Sequence, residues 1–187
     1  MEHVLELGPV LTVMPARSPT AANELAATIR AVTAGDEDAF ARLYRDYAGM
    51  VHAILLGRVP RRDVDDLVQE VFVAAYTRIH ELREPGAFGG WIATIARNRA
   101  TDYLRQARDQ EPLPDELPGG QPIEAETLAV LDVVRKLPEA YRETLLMRLV
   151  EGMSGAEIAE RSGLTAASVR VNLHRGMKLL RDHLGAS

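Results

Sequence analysis

The sequence contains no cysteine, which excludes a disulfide framework and any thiolate metal site. Strand signals are also missing: no segment alternates apolar and polar residues between turn signals. No apolar run approaches the length of a membrane span. The start, Met1-Glu2-His3, lacks the positive charge of a secretory signal, and Val10–Met14, set between Pro9 and Pro15, is too short for its apolar core. These absences point to a cytoplasmic protein without direct membrane insertion. The net charge of −5 argues against a general nucleic-acid coat.

Helical periodicity fills the space left by the missing strands, so the expected class is all-α. The acidity is concentrated. Residues 108–124 hold one Arg against five acids, with four Pro and two Gly, and show no periodic apolar face. This reads as an acidic Pro/Gly-rich linker. Fully extended, it would reach up to ~55 Å. The chain then divides into a disordered N-terminal tail (1–22), a front helical domain (23–107), the linker (108–124) and a small back domain (125–187).

The back domain carries the most informative stretch. Ser154 with Glu157 three residues on forms a capping box that starts a helix. Gly163 suits a tight turn and Thr165 can cap the next helix. Small Ala159, then Gly163, then β-branched Val169 is the spacing of a helix-turn-helix. At about 100° per residue, Val169, Leu173, Gly176, Met177 and Leu180 gather on one side of the second helix. Arg170, Val171, His174 and Lys178 gather opposite, with Arg175 at the flank. Arginine can fork to guanine, Lys and Arg can neutralise phosphates, and an exposed Val can touch a thymine methyl. A duplex-DNA reader is the expectation, against a merely solvated basic face.

In the front domain, the pattern predicts helices over 22–32, 36–58, 62–82 and 91–105. The second has Phe40, Leu43, Tyr44, Tyr47, Val51, Ile54 and Leu55 as its core stripe. The third buries Val64, Leu67, Val68, Val71, Phe72, Ala75, Ile79 and Leu82. Its opposite side presents Asp66, Gln69, Glu70, Thr77 and His80 around Val73. An apolar residue ringed by carboxylates and an amide suits docking of a basic helix, although a harmlessly exposed Val gives the same pattern. A metal site built from Asp63, Asp65, Asp66 and Glu70 lacks a histidine at ligand spacing, so no metal or other cofactor is expected. The fourth helix follows a Pro/Gly-rich loop, Arg83–Gly90, and is expected to bury Ile92, Ala96, Ala100, Tyr103 and Leu104. Trp91, Thr94, Asn98, Asp102 and Arg105 line another stripe, with Arg97 and Arg99 at its margins. These groups suit unstacked bases and phosphates, unless Trp91 is simply core.

Four ordered motifs now stand together: Asp65-Asp66-Leu67-Val68-Gln69-Glu70-Val71-Phe72; Phe88-x-x-Trp91-Ile92 running on to Asp102-Tyr103-Leu104-Arg105; a Pro-rich tether; and Leu137-Pro138-x-x-Tyr141-Arg142 leading into the helix-turn-helix. Over residues 25–184 the chain resembles the bacterial extracytoplasmic-function sigma factors. The resemblance implies a promoter-selecting subunit of RNA polymerase rather than an enzyme, so no catalytic residue is expected. It implies that Asp66, Gln69, Glu70 and Val73 dock on the basic clamp-helix coiled coil of the largest subunit of core RNA polymerase, and that the chain's partners include both the largest and second-largest subunits. Phe88, Trp91, Arg97, Asn98, Arg99, Asp102 and Arg105 would bind the melted −10 element, with the Phe88-bearing loop helping to capture a flipped base. Arg170, Val171, His174, Arg175 and Lys178 would bind the −35 duplex. Family members often carry a small polar residue and an aromatic one at the positions of Val171 and His174, so the −35 sequence read here need not be the usual one. The linker carboxylates, among them Asp109, Glu111, Asp115 and Glu116, would mimic nucleic-acid phosphates in a basic channel of the polymerase. An anti-sigma protein is a further implied partner. The alternative reading is a free-standing helix-turn-helix repressor with a helical sensor domain.

Overall fold

A computed structural model describes residues 19–107 and 125–185; among these it holds eight α-helices and no strand, as the periodicity requires. The chain divides into two compact units. The first comprises α1 Pro19–Thr33, α2 Glu37–Leu56, α3 Val64–Arg78 and α4 Phe88–Ala107; the second comprises α5 Ala125–Lys136, α6 Glu139–Leu149, α7 Gly155–Ser162 and α8 Ala166–Leu184. The linker assigned to 108–124 and residues 1–18 of the assigned tail lie outside the described residues. The tail boundary needs correction, because α1 already begins at Pro19. Proline suits a first helical turn, where the amide it lacks would have no partner.

In the first unit, α2 is the central helix. Asp36 caps it by accepting from the Ala39 amide at 2.9 Å, and Glu37 and Asp38 sit where the helix dipole favours acids. Leu43, Tyr47, Val51, Ile54 and Leu55 are buried as the stripe predicts, but the burial then spreads round the helix. Every residue from Met50 to Leu56 is buried, because α1, α3 and α4 all pack on α2. The helix stops at Leu56 rather than Arg58. Arg58 folds back instead, buried, and donates from its guanidinium to the Ile54 carbonyl at 2.8 Å.

The third segment keeps its predicted inward face. Val64, Leu67, Val68, Val71, Phe72, Ala75 and Ile79 are all buried, while Leu82 is half-buried. The α-helical part is shorter than expected, since a 3-10 turn stands at each end. Phe40 and Tyr44 are half-buried rather than core. They join Phe72 and Tyr76 in an aromatic cluster, with Phe40 edge-on to Tyr76 at 4.7 Å between ring centres and Tyr44 tilted on Phe72 at 4.6 Å.

Helix α4 starts at Phe88, so Gly89 and Gly90 lie inside it and the preceding loop is shorter than its composition suggests. Ile92, Ala96 and Ala100 are buried as expected, joined by Phe88, Gly89 and Ala93. Tyr103 and Leu104 are only half-buried. The Tyr103 hydroxyl donates to Asp63 Oδ2 at 2.6 Å, tying the end of α4 to the turn before α3. Burial and this carboxylate together raise the Tyr103 pKa above its ordinary value. His52 of α2 is buried with its Nε2 at 3.3 Å from Asp65 Oδ1. Burial pushes the His52 pKa below its ordinary value, with Asp65 opposing that shift and Arg61 adding a little to it.

The second unit packs α5, α6 and α7 around α8, over a core that includes Leu131, Leu145, Leu146, Ile158 and Leu180. Gly176 lets α8 approach α6 closely. A Cβ there would stand 3.0 Å from Leu145 Cδ1 and 3.2 Å from Tyr141 Cβ.

Candidate functional site

Apart from Phe88 and the linker carboxylates, the expected functional residues lie on three helix faces, two in the first unit and one in the second. The second unit's face depends on a turn whose parts form as the sequence dictates. Ser154 Oγ accepts from the Glu157 amide at 3.3 Å, and Glu157 Oε2 accepts from the Ser154 amide at 2.8 Å, a reciprocal pair that starts α7. Gly163 ends it at φ +70°, in the left-handed region. Thr165 Oγ1 then accepts from the Ser168 amide at 3.1 Å and starts α8. Val169 anchors α8 against Met147 and Ile158, with Ala159 and Leu173 packed alongside.

Because no other atom lies within 4 Å of a Cβ built at Gly163, the penalty for a side chain there comes from the backbone alone. Gly163→Ala is expected to lower stability by about 1 kcal/mol in urea unfolding, and Gly163→Asn by less, because Asn tolerates the left-handed region better. Equal stability of all three proteins would show that the turn relaxes out of this conformation.

With Val169, Gly176 and Leu180 buried, α8 turns Arg170, Val171, His174, Arg175 and Lys178 outward, all of them exposed. Val171 is 44 % exposed, one of four large apolar side chains exposed among the described residues. Arg170 adjoins it in the chain, Arg175 stands one turn on and Lys178 two turns on, so this surface can offer both a charge to phosphate and an apolar contact to a base edge.

On α3, Asp66, Gln69 and Glu70 are exposed, and Val73, at 66 %, is the most exposed large apolar side chain among the described residues. Tyr76, 42 % exposed one turn further, extends this apolar surface. Sequence periodicity gave no reason to single it out. Glu70 is not a free carboxylate: Arg99 of α4 reaches across and places its guanidinium 2.7 Å from Glu70 Oε2.

On α4, Asn98 and Arg105 are exposed, and Trp91 is half-buried. Arg97 is half-buried and donates to Thr94 Oγ1 at 2.9 Å. Asp102 is held by Arg105 at 3.0 Å. Phe88 departs from expectation. It is fully buried, edge-on to Tyr47 at 4.9 Å and tilted on Trp91 at 5.9 Å between ring centres. Full burial of such a ring is worth about 1.5–3 kcal/mol relative to exposure, so Phe88 is a core residue and its ring offers no face to a base. What it does supply is the packing beneath Trp91.

No group of three His, Asp or Glu among the described residues converges closely enough to hold a metal ion. No described helix is long and apolar enough to cross a membrane.

Comparison with known proteins connects these faces. Residues 43–110 match the family model for Sigma-70 region 2, and residues 127–180 match that for Sigma-70, region 4. The RNA polymerase sigma factor CarQ of Myxococcus xanthus is 31 % identical over 161 residues, covering 81 % of this chain and 92 % of CarQ. The ECF RNA polymerase sigma-E factor of Haemophilus influenzae is 29 % identical over 177 residues, covering 84 % of this chain and 94 % of that protein. A probable RNA polymerase sigma factor of Xanthomonas campestris, RfaY, is 32 % identical over 169 residues, which cover 81 % of this chain but only 42 % of the longer RfaY. Among solved structures, CnrH in complex with the cytosolic domain of CnrY superposes with a TM-score of 0.62 at 26 % identity, covering 86 % of this chain and 96 % of that one. The sigma factor RpoE of Bartonella quintana, in complex with the anti-sigma factor NepR, gives 0.63 at 17 % identity over 78 % of this chain and 96 % of that one, a likeness of fold. With region 2 on the α3–α4 unit and region 4 on the helix-turn-helix unit, the chain belongs to the extracytoplasmic-function (ECF) family of promoter-recognising RNA polymerase sigma factors.

Proposed function

We propose that the three faces divide the work of promoter selection. The α3 face of Asp66, Gln69, Glu70 and Val73 docks on the basic helical coiled coil of the polymerase largest subunit. The α4 face of Trp91, Asn98, Asp102 and the flanking arginines takes the unstacked −10 strand. The α8 face of Arg170, Val171, His174, Arg175 and Lys178 enters the −35 major groove. An anti-sigma protein covers one or more of these faces in the resting state, as CnrY accompanies CnrH and the anti-sigma factor NepR accompanies RpoE.

The observation that carries this reading is the outward set on α8, where Val171 stands exposed among Arg170, His174, Arg175 and Lys178. A valine set among cations suits the major groove, which offers both phosphates and methyl groups. The test is transcription from promoter templates by core RNA polymerase with and without the protein. The expected result is initiation that depends on the protein and loses specificity when α8 is altered. Tight, sequence-specific duplex binding by the protein alone, with no effect on core polymerase, would instead make it a free-standing repressor.

A further inference from the structure

The contact between Glu70 and Arg99 joins two faces that the proposed function treats separately. Glu70 belongs to the docking face of α3 and Arg99 to the nucleic-acid face of α4. Their charged atoms are 2.7 Å apart, and the two side chains are 46 % and 43 % exposed. The pair therefore lies at the seam where α3 and α4 pack, open to solvent and within reach of a partner on either side. A carboxylate engaged with Arg99 is less available to a basic helix, and a guanidinium engaged with Glu70 is less available to phosphate.

We infer that this ion pair couples the two faces: in the free protein each group masks the other, and a basic partner helix that takes up Glu70 releases Arg99 to the single-stranded DNA backbone. The inference rests on the proposed roles of the α3 and α4 faces. Linkage makes the effect reciprocal, so whatever occupies Arg99 also frees Glu70 by the same factor. An exposed pair of this kind is weak, which sets the coupling at about two- to fivefold. That is small enough to be reversible and large enough to favour DNA capture after docking rather than before it.

The test uses the full-length protein as wild type, Glu70→Gln, Arg99→Gln and the double variant, each checked for folding by circular dichroism. A fluorescein-labelled, mixed-sequence single-stranded oligodeoxynucleotide is titrated in the absence of polymerase. Core RNA polymerase is titrated separately in the absence of DNA. Glu70→Gln is expected to tighten oligonucleotide binding about two- to fivefold, with a salt slope steeper by about 0.7 for one added phosphate contact. This gain should vanish in the Arg99→Gln background, and Asp66→Asn, which removes a charge from the same face without touching the pair, should not reproduce it. Conversely, Arg99→Gln should tighten core binding by a similar factor, but not when Glu70 is already Gln. A Glu70→Gln gain that persists without Arg99, or no gain at all, would overturn the coupling. If Arg99→Gln leaves oligonucleotide binding unchanged even in the Glu70→Gln background, the failure lies in the DNA role of Arg99. If Glu70→Gln leaves core binding unchanged, it lies in the docking role of Glu70.

Discussion

Replacing Asp66 and Glu70 together with Lys is expected to abolish binding to core RNA polymerase while leaving the helical circular-dichroism spectrum intact. Both side chains are exposed on α3, and the inward face of that helix from Val64 to Ala75 does not involve them, so the fold has little reason to respond. Among the described residues the internal contact that changes is the ion pair to Arg99, whose members are nearly half exposed and can swing apart into water. At an interface the balance differs. Close charge pairs between docked proteins couple by about 1.5–7 kcal/mol, and reversing two charges would turn those attractions into repulsions around the proposed Val73 contact. The expected loss is at least about a hundredfold in affinity, since each tenfold step corresponds to about 1.4 kcal/mol. Asp46→Lys on α2, which makes one such charge reversal at another exposed position, is the control and should leave affinity within about twofold. Unchanged core affinity in the double variant, measured by fluorescence anisotropy alongside circular dichroism, would remove the docking assignment from α3.

What the sequence reveals of this molecule follows from how local its causes are. The helix-turn-helix was legible because its determinants lie within a few residues of one another: Ser154 with Glu157, the left-handed Gly163, Thr165 with Ser168. The face of α3 was legible because it packs on one side only, and one apolar stripe fixes the outward set as well. Periodicity fails where a helix has neighbours all round, as α2 does from Met50 onward. It fails likewise on α6, which buries the continuous run Thr144–Met147 between α5, α7 and α8 and announces itself weakly. It also cannot show which polar groups meet between elements distant in the chain. Tyr103 finds Asp63 forty residues away in the chain, and Arg99 finds Glu70 on the neighbouring helix. Phe88 departs from its sequence pattern for a related reason. Gly89 and Gly90 suggest a loop, yet α4 already includes them, and the buried ring stands at its first turn beneath Trp91.

Arg170→Ala is expected to weaken −35 binding at one base position, while Lys178→Ala weakens all sequences alike. Both residues are exposed on α8, but they stand two turns apart on a helix that starts at the Thr165 cap. In helix-turn-helix proteins the N-terminal part of the recognition helix meets base edges and the remainder follows the backbone. Arg170 lies in that first part beside Val171, where a bidentate contact to a guanine would be worth about 1–3 kcal/mol of discrimination. If Lys178 meets phosphate as proposed, its loss should lower the salt slope by about 1 without altering preference. Val171 makes a separate contribution: its exposed methyls can meet only another apolar group, and the thymine methyl is the one the major groove provides. The measurement is selection from a randomised duplex library by the holoenzyme, repeated for each variant, followed by titration of the selected site with single thymines exchanged for uracil. One exchange should weaken the wild type and leave Val171→Ala unaffected, because that variant has already lost the contact. If Arg170→Ala lowers binding uniformly and leaves the selected sequence unchanged, Arg170 is a phosphate contact and the reading of bases passes to His174 and Arg175.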